Sequence, residues 1–373
     1  MARLRWWVIG LLFVTSSCDS TGVPAPPSAT GASWPEADRL FHQDPLWLGA
    51  DGAYSIDLGS TRSLWLFGDT FVAPSAAAAR RSGSSMPRNT VAVQDGRDPT
   101  TATMRFFWGR TAAGNPASFF PDGADTWVWP GDGLRLPGGP LIVFLSVERA
   151  TPGQGLGFAS AGWRVAIVDD PDEDPAQWAP RYLDPAPAAF DAIVGSAVVL
   201  DGDYLVALAP RAETHAGQLA RFLTSDLLAG VLAPEWWAGG ARGWVAEPAL
   251  GGAPDVVMDD AGSEASLHRL VENTTSSWIH VASRGFGKTT IAVRRAPALT
   301  GSWSAPTDAF TPPESNVAKP FVYAAKAHPE LTAGDSADLV ATYATNSFTF
   351  ADLLTDHGME SLYWPRFVRL TLH

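Results

Sequence analysis

Two aspartates, Asp51 and Asp69, have the spacing in this chain that most directly suggests chemistry. They flank residues 53–67, which have the strand–turn–strand pattern of a β-hairpin with glycine and serine in the turn. With the turn centred on Ser60, the two aspartates oppose each other and project from the same face. Carboxylates held in this way repel each other unless they bind something between them or share a proton. The pair therefore predicts acid–base chemistry or ligand binding, and the alternative is two solvated aspartates in glycine-flanked turns.

The elements that would position this pair are short β-strands. Apolar segments separated by Gly, Pro, Asp and Asn recur to the end of the chain, and only residues 216–229 and 348–354 have a helical pattern. Groups of three or four strands recur about every 65–70 residues, so that five groups fit the length. This pattern predicts an all-β, five-bladed β-propeller over residues 35–373, with a β-sandwich carrying insertions as the alternative.

The N-terminal segment has the pattern of an export signal. Arg3 and Arg5 precede a short apolar run over residues 6–14, and small residues then lead to Cys18. Residues 1–18 are therefore predicted to be a lipoprotein-type signal peptide with Cys18 as the lipidation site, and simple secretion is the alternative. Residues 19–34 are rich in Pro, Ser and Ala and are predicted to be a disordered linker. We expect an exported protein, a cell-envelope lipoprotein or a secreted one, that meets a membrane only through its lipid anchor.

The composition limits the partners. The net charge of −13 argues against binding to a nucleic-acid backbone. Cys18 is the one cysteine of the chain, so no intrachain disulfide stabilises the fold and its apolar core must do so. We expect a monomer.

Several segments of the chain resemble the bacterial family catalogued as domain of unknown function 4185. The resemblance is most specific in the two motifs that contain Asp51 and Asp69 and in the Tyr-Trp-Pro-Arg segment at residues 363–366. The similar segments are residues 49–52, 65–70, 88–90, 127–133, 284–287, 299–306, 343–347 and 363–366.

The resemblance implies a five-bladed β-propeller related to the furanosidase propellers. The family that the chain resembles includes endo-D-arabinanases, classed as glycoside hydrolase family 183. Their paired catalytic aspartates lie in the motifs that match Asp51 and Asp69. Glycoside hydrolysis usually needs two such carboxyl groups, one to protonate the leaving oxygen and one to attack the sugar or activate water. We assign Asp69 as nucleophile or base and Asp51 as acid, with the roles exchangeable. The cross-strand Cβ separation of roughly 4.5–5.5 Å slightly favours retention of configuration.

A second group of residues is predicted to bind the substrate around the pair. Each has a structural alternative, such as a turn, a blade-to-blade contact or a strand end. For Arg366 a carboxylate partner is expected, because it lies beside apolar strand residues. Glu264 is also a possible third acid. The group consists of Asn89, Trp129, Glu264, Arg284, Asn346, Tyr363 and Arg366.

Other signals favour structural interpretations. Residues 285–290 lack the first glycine of a phosphate-binding loop, and the histidines lack the spacing of a zinc site, so we expect no metal in the active site and no cofactor. The acidic loop at residues 169–174 could hold a structural calcium ion but fits a solvated loop better. Asp132, in a Pro-Gly-Asp-Gly segment, is predicted to lie in a turn.

The sequence thus predicts an exported glycoside hydrolase that cleaves furanosidic linkages in a polysaccharide. The substrate expected first is D-arabinan or a related arabinose-containing polymer. One alternative is a non-catalytic carbohydrate-binding surface propeller. Another is activity on a different furanoside, such as a galactofuranan or L-arabinan.

Overall fold

The computed structural model describes residues 22–154, 156–186, 190–272, 275–285, 288–317, 319–334 and 336–373. Over these residues the chain is all-β, because short segments rich in Val, Leu, Trp and Phe end repeatedly at Gly, Pro or Asp. The predicted signal peptide and its Cys18 lie outside the described residues.

The strands are short and follow one another closely along the chain. In chain order they are β1 (Ala29–Ser33), β2 (Trp47–Ala50), β3 (Tyr54–Gly59), β4 (Arg62–Phe67), β5 (Thr70–Val72), β6 (Thr90–Asp95), β7 (Thr103–Phe107), β8 (Gly109–Arg110), β9 (Pro116–Ala117), β10 (Thr126–Arg135), β11 (Leu141–Ala150), β12 (Phe158–Val168) and β13 (Arg181–Leu183). They continue as β14 (Ala197–Asp201), β15 (Tyr204–Leu208), β16 (Leu219–Leu223), β17 (Glu235–Trp237), β18 (Trp244–Ala246), β19 (Ala265–Glu272), β20 (Thr275–Arg284), β21 (Thr290–Ala296), β22 (Thr307–Phe310), β23 (Pro320–Ala327), β24 (Leu339–Ser347) and β25 (Arg366–Leu372).

Helices are few and brief. They are α1 (Pro35–Asp38), α2 (Thr224–Leu228), α3 (Glu247–Leu250), α4 (Phe350–Leu353) and α5 (Asp356–Ser361). Two of them, α2 and α4, lie in the segments where the sequence has a helical pattern. Within the described part of the chain, no helix has the length and apolar character needed to cross a membrane.

Five antiparallel sheets of four or five strands follow one another along the chain, and two short pairs, β2-β5 and β8-β9, accompany them. The strand orders of the five sheets are β3-β4-β6-β7, β10-β11-β12-β13, β14-β15-β16-β17-β18, β19-β20-β21-β22 and β1-β25-β24-β23. One strand of each sheet contacts one strand of the next sheet, β3 with β10, β10 with β14, β14 with β19 and β19 with β23.

Apolar clusters fill the space between neighbouring sheets. Between the second and third sheets, for example, the rings of Phe144 and Phe222 have centroids 5.5 Å apart. A further cluster joins the fifth sheet back to the first, where Trp65 and Phe367 are 5.9 Å apart. The five sheets therefore form a ring whose stability comes from burial of apolar surface between them.

The ring surrounds a cavity of about 370 Å³. One strand of each sheet lines it, through residues such as Tyr54 of β3, Asp132 of β10, Val198 of β14, Ser266 of β19 and Lys326 of β23. These five strands are thus the innermost ones.

The N-terminal strand corrects a prediction. Residues 29–33, placed in the disordered linker by their composition, form β1 and pair with β25 from Ala29 opposite Leu372 to Ser33 opposite Val368. Trp34 follows, is buried, and packs edge-to-face on Phe367. Strand β25 has edge N–H and C=O groups that need partners, and a short extended segment can supply them whatever its composition.

The hairpin that organises the pair has the predicted register. Tyr54 pairs with Leu66 and Asp57 with Ser63, which confirms a turn centred on Ser60. Beyond the hairpin, Ala50 pairs with Thr70 in the same register.

Candidate active site

Asp51 and Asp69 lie opposite each other where the β3–β4 ladder is interrupted. The paired residues on either side share one register, and the Gly68 N–H donates to the Asp51 carbonyl at 3.0 Å. The Asp69 side chain exposes 15% of its surface. The two carboxyl groups are therefore held on one face at one end of the ring of inner strands.

Gly68 makes this close approach possible. A Cβ atom at this position would lie 2.4 Å from Oδ1 of Asp51 and 3.8 Å from Cδ1 of Trp129. Any larger residue would push the Asp51 carboxyl away from its place. The glycine of the Phe-Gly-Asp segment is thus required by the site and not only by the backbone.

Asp51 is bound by hydroxyl groups. Its Oδ2 accepts a hydrogen bond from the Tyr323 hydroxyl at 2.6 Å and one from the Tyr363 hydroxyl at 3.3 Å. Asn346 donates in turn to the Tyr323 oxygen at 3.3 Å. Burial raises the pKa of Asp51 to about 7, assisted by the negative charges of Asp69 and Glu264 and opposed by the two hydroxyl bonds. This carboxyl group can therefore carry a proton near neutral pH.

Asp69 has different partners. Trp129 donates from its indole N–H to Oδ1 at 3.0 Å, and Arg88 donates to Oδ2 at 3.2 Å. The Arg88 guanidinium also lies over the Trp127 ring, 4.4 Å from its centroid. Burial raises the pKa of Asp69, and the Trp129 and Arg88 bonds oppose that rise. A cation and an N–H donor favour the negatively charged form of this carboxyl group.

Strained backbone surrounds Asp51. Among the described residues, seven that are not glycine have a positive φ, and three of them flank this carboxyl group: Ala53 at +57°, Ala324 at +58° and Tyr363 at +63°. Such conformations each cost about 1–3 kcal/mol and persist where the surrounding structure enforces them. Their concentration here supports a functional site.

Lys326 connects the site to the central cavity. Its ammonium donates to the Ala324 carbonyl at 2.9 Å, to Glu264 Oε1 at 3.2 Å and to the Gly52 carbonyl, and it lies 4.1 Å from the centroid of the Tyr54 ring. The side chain is 1% exposed. Lys326 thus ties the fifth sheet and Glu264 to the segment that carries Asp51.

Arg81 packs against Tyr363. It comes from an insertion after β5 that is rich in small residues, residues 76–85. Arg81 is buried and donates to the carbonyls of Leu48 at 2.8 Å and Leu362 at 2.7 Å. Its guanidinium lies 5.9 Å from the centroid of the Tyr363 ring. The insertion therefore anchors the residue that bonds to Asp51.

Four of the predicted substrate-binding residues lie in this network. Trp129 contacts Asp69, Tyr363 contacts Asp51, Asn346 contacts Tyr323, and Glu264 is reached through Lys326. These contacts place the residues beside the pair and leave their role in binding a substrate as a prediction.

Asn89 does not join the pair. Its amide nitrogen donates to the carbonyls of Phe120 and Val128 at 3.0 Å each, and its oxygen accepts from the Phe120 N–H at 2.7 Å. Fully buried, it has no group to offer a sugar, so its predicted place in substrate binding is wrong. The preceding residue, Arg88, reaches Asp69 instead.

Two arginines also lie elsewhere. Arg284 pairs with Asp308 at 3.1 Å on the exposed outer strand β22. Arg366 has the expected carboxylate partner, Asp38 at 3.1 Å, but this pair fixes α1 to the last strand. Each arginine thus pairs with an acid in its own surroundings, and neither contacts Asp51 or Asp69.

Tyr323, Arg88 and Lys326 are contacts of the site that sequence reasoning missed. Tyr323 and Lys326 lie in β23 of the fifth sheet, and only ring closure brings Tyr323 to Asp51 and Lys326 to Gly52. Arg88 belongs to residues 88–90, one of the segments similar to the family, and this signal could have identified it.

Metal ligands do not cluster in the described structure. No group of three or more His, Cys, Asp or Glu side chains is arranged there to hold an ion. In the acidic loop, Asp169 pairs with Arg181 at 2.8 Å, Asp172 with Arg135 at 2.6 Å and Asp174 with Arg105 at 2.9 Å. These aspartates are thus engaged by arginines.

The site as a whole holds two half-buried carboxyl groups with unequal surroundings. Asp51, with hydroxyl donors and a raised pKa, is suited to give up a proton. Asp69, with a cation and an N–H donor, is suited to stay ionised as base or nucleophile.

Comparison with known proteins gives a family for nearly the whole chain. The model of the family described as "Domain of unknown function (DUF5005)" matches residues 36–372. This is not the family whose motifs the sequence resembles. No curated protein matches the chain.

Solved structures resemble the fold. A candidate hydrolase from Bacteroides ovatus ATCC 8483 superposes with a TM-score of 0.70 at 16% identity, over 92% of this chain and 90% of that one. At that identity the likeness establishes a shared fold.

Two further structures superpose less well. They are the catalytic domain of the Coprinopsis cinerea GH62 alpha-L-arabinofuranosidase (TM-score 0.49, 12% identity, 94% of this chain and 98% of that one) and the Bacteroides ovatus xyloglucan GH43B protein (TM-score 0.45, 12% identity, 88% and 53%). At TM-scores below 0.5 these similarities say nothing about the activity of this chain.

Proposed function

The chain belongs to the family of domain of unknown function 5005, and we propose that it is a glycoside hydrolase that cleaves furanosidic linkages with Asp51 and Asp69. The observation that carries the proposal is the pair itself: two opposed carboxyl groups, of which burial raises the pKa of Asp51 to about 7, while a cation and an N–H donor favour the charged form of Asp69. In this proposal the five sheets are the blades of a five-bladed β-propeller, and the pair lies at one end of its axis.

The chemistry divides between the two residues. Asp51 protonates the leaving glycosidic oxygen, because burial and the charge of Asp69 raise its pKa to about 7. Asp69 acts as nucleophile or base, with Arg88 and Trp129 holding its carboxylate in place. The opposed positions on neighbouring strands favour a retaining mechanism.

The substrate we propose is D-arabinan or a related arabinose-containing polysaccharide. Support for a furanose polymer comes from the resemblance of the two aspartate motifs to those of endo-D-arabinanases. Export as a lipoprotein anchored through Cys18 fits this role, since such polymers lie outside the cell membrane.

The direct test is incubation of the purified protein with D-arabinan, L-arabinan and a galactofuranan, with measurement of the reducing ends released. Any truncation must keep β1, because it completes the last sheet. Wild type is compared with Asp51→Asn and Asp69→Asn. Asp308→Asn is the matched control, since this aspartate pairs with Arg284 at an exposed edge.

We expect wild type and Asp308→Asn to release reducing ends from at least one polymer, and the two site variants to release none. If wild type cleaves none of the three polymers but binds one of them, a carbohydrate-binding propeller replaces this proposal. If either site variant retains full activity, the assignment of the pair is wrong.

A further inference from the structure

Two rows of aromatic rings lead outward from the tyrosines that bind Asp51. From Tyr323 the row continues to Phe321 at 5.3 Å between centroids, and from there to Phe348 at 4.6 Å. A second row starts at Tyr363. Each step lies within the range of ring–ring contact.

The second row runs from Tyr363 to Phe71 at 5.4 Å and on to Phe350 at 6.1 Å. Both rows thus reach the junction of β24 and α4. Phe348 directly follows β24 and Phe350 is the first residue of α4, so that both lie shortly after Asn346 of the Asp51 network.

Each row reaches a ring that is exposed to solvent. Phe348 exposes 58% of its surface and Phe350 exposes 52%. Most large apolar side chains of the ring are buried between sheets, so two exposed phenylalanines side by side at the edge of the site need an explanation.

We propose that Phe348 and Phe350 form a sugar-stacking subsite, which binds the furanose units next to the linkage held by Asp51 and Asp69. This inference rests on the proposed function and specifies its substrate as a chain several sugars long. Sugar rings have apolar C–H faces that pack on aromatic rings, while their hydroxyl groups need polar partners at the edges.

The surroundings of the two rings suit a sugar better than an apolar partner. Asp352 of α4 forms an ion pair with Lys319 at 3.4 Å, and Asn346, two residues before Phe348, donates to the Tyr323 oxygen at 3.3 Å.

The ring rows are also continuous with the catalytic pair. A polysaccharide chain bound at Asp51 would therefore pass over the half-buried rings of Tyr323 and Phe321 to Phe348. In the second row Tyr363 and Phe71 are buried, and the exposed ring is that of Phe350.

A subsite of this kind affects long substrates more than short ones. An aryl arabinofuranoside occupies only the position at the carboxyl pair, whereas a polymer also covers the neighbouring rings. Loss of one ring should weaken the polymer complex by about 3- to 10-fold, the size of a single aromatic packing contact.

The test compares kcat/KM on arabinan with kcat/KM on an aryl arabinofuranoside for Phe348→Ala, Phe350→Ala and Phe348→Tyr. We expect each alanine variant to lose about 3- to 10-fold more on the polymer than on the aryl glycoside, mostly through KM. Phe348→Tyr, which keeps the ring face, should restore the polymer value. Val231→Ala, which removes an exposed apolar side chain from the third sheet, is the control and should change neither.

Equal losses on both substrates, or no loss on the polymer, would overturn the subsite. Thermal unfolding of each variant identifies any that fail to fold, and Phe348→Tyr then carries the comparison.

A binding measurement keeps this proposal separate from the proposed function. Affinity electrophoresis in gels containing arabinan measures retardation of Asp69→Asn with and without Phe348→Ala. If the protein cleaves no polymer but Phe348→Ala still abolishes retardation, the subsite stands and the hydrolase proposal fails. If retardation is the same in both proteins, the subsite is wrong even when wild type is active.

Discussion

Asp51 and Asp132 make an instructive comparison. Asp51 precedes the innermost strand of the first sheet, and Asp132 lies in the innermost strand of the second. Burial raises the pKa of both to about 7. Their partners differ, however, and the difference separates a reactive carboxyl group from a structural one.

Asp132 is bound by main-chain donors. The N–H of Gly133 donates to its Oδ1 at 2.8 Å, and the N–H of Val198 donates to its Oδ2 at 2.7 Å. It therefore links a register shift in β10 to β14 of the next sheet. Asp51 has side-chain hydroxyl partners and faces a second carboxyl group. A raised pKa alone thus does not identify a catalytic residue, and its partners must be considered.

The largest expected effect comes from Asp69→Asn. Replacing the nucleophile or base should lower kcat on arabinan by ~10³-fold or more. The free energy of unfolding should change by less than ~1 kcal/mol, because the Arg88 pair is partly exposed. Initial rates and urea unfolding measure the two quantities. Retained activity would show that Asp69 has a structural role, like Asp132, and not a catalytic one.

Gly68→Ala should have the next largest effect. A Cβ atom 2.4 Å from Asp51 Oδ1 must displace the carboxyl group, and a displacement of about 1 Å can cost ~10²-fold in rate. Gly83→Ala is a control at a position where a Cβ would have no neighbour within 4 Å. Equal rates for the two variants would show that the Asp51 position is not critical.

Tyr323→Phe should change the pH dependence of activity. The hydroxyl bond favours ionised Asp51, so its loss should raise the pKa of the acid further. The alkaline limb of kcat/KM, which reports loss of the proton from Asp51, should then move to higher pH. Tyr204→Phe on the third sheet is the control. A shift to lower pH would contradict the role of Asp51 as acid.

Asp132→Asn should affect stability and not chemistry. An amide group can accept from one of the two N–H donors but directs its own N–H toward the other, which costs about 1–3 kcal/mol. Activity per folded molecule should stay within about twofold. Urea unfolding and initial rates check both.

The same variant tests the pH dependence of stability. The pKa of the Asp132 carboxyl group is 3.8 in the unfolded chain and about 7 in the native state, so the native state keeps the proton up to a higher pH. The free energy of unfolding should therefore fall as pH rises from about 4 to about 7. Asp132→Asn should make this fall smaller. An unchanged slope would show that Asp132 does not contribute.

Local pattern was enough to predict part of this site. The alternation of the hairpin gave the register that opposes Asp51 and Asp69, and the turn residues gave its centre. Tyr323 could not be found in this way, because it lies 272 residues from Asp51 and reaches it only through ring closure.

Composition misled in two places. Residues 29–33 have the composition of a linker, but they pair with the open edge of β25 and form a strand there. The Pro-Gly-Asp-Gly segment is typical of a turn, yet Asp132 lies inside β10, where its glycines allow close approach between strands. Edge pairing and close packing are tertiary effects that no local pattern records.

The most direct test of the central claim is the rate of arabinan hydrolysis per folded molecule in Asp51→Asn, measured beside Asp132→Asn. Our account predicts a loss of ~10²-fold or more for Asp51→Asn and a value close to wild type for Asp132→Asn. Equal rates in the two variants, or a greater loss in Asp132→Asn, would contradict it.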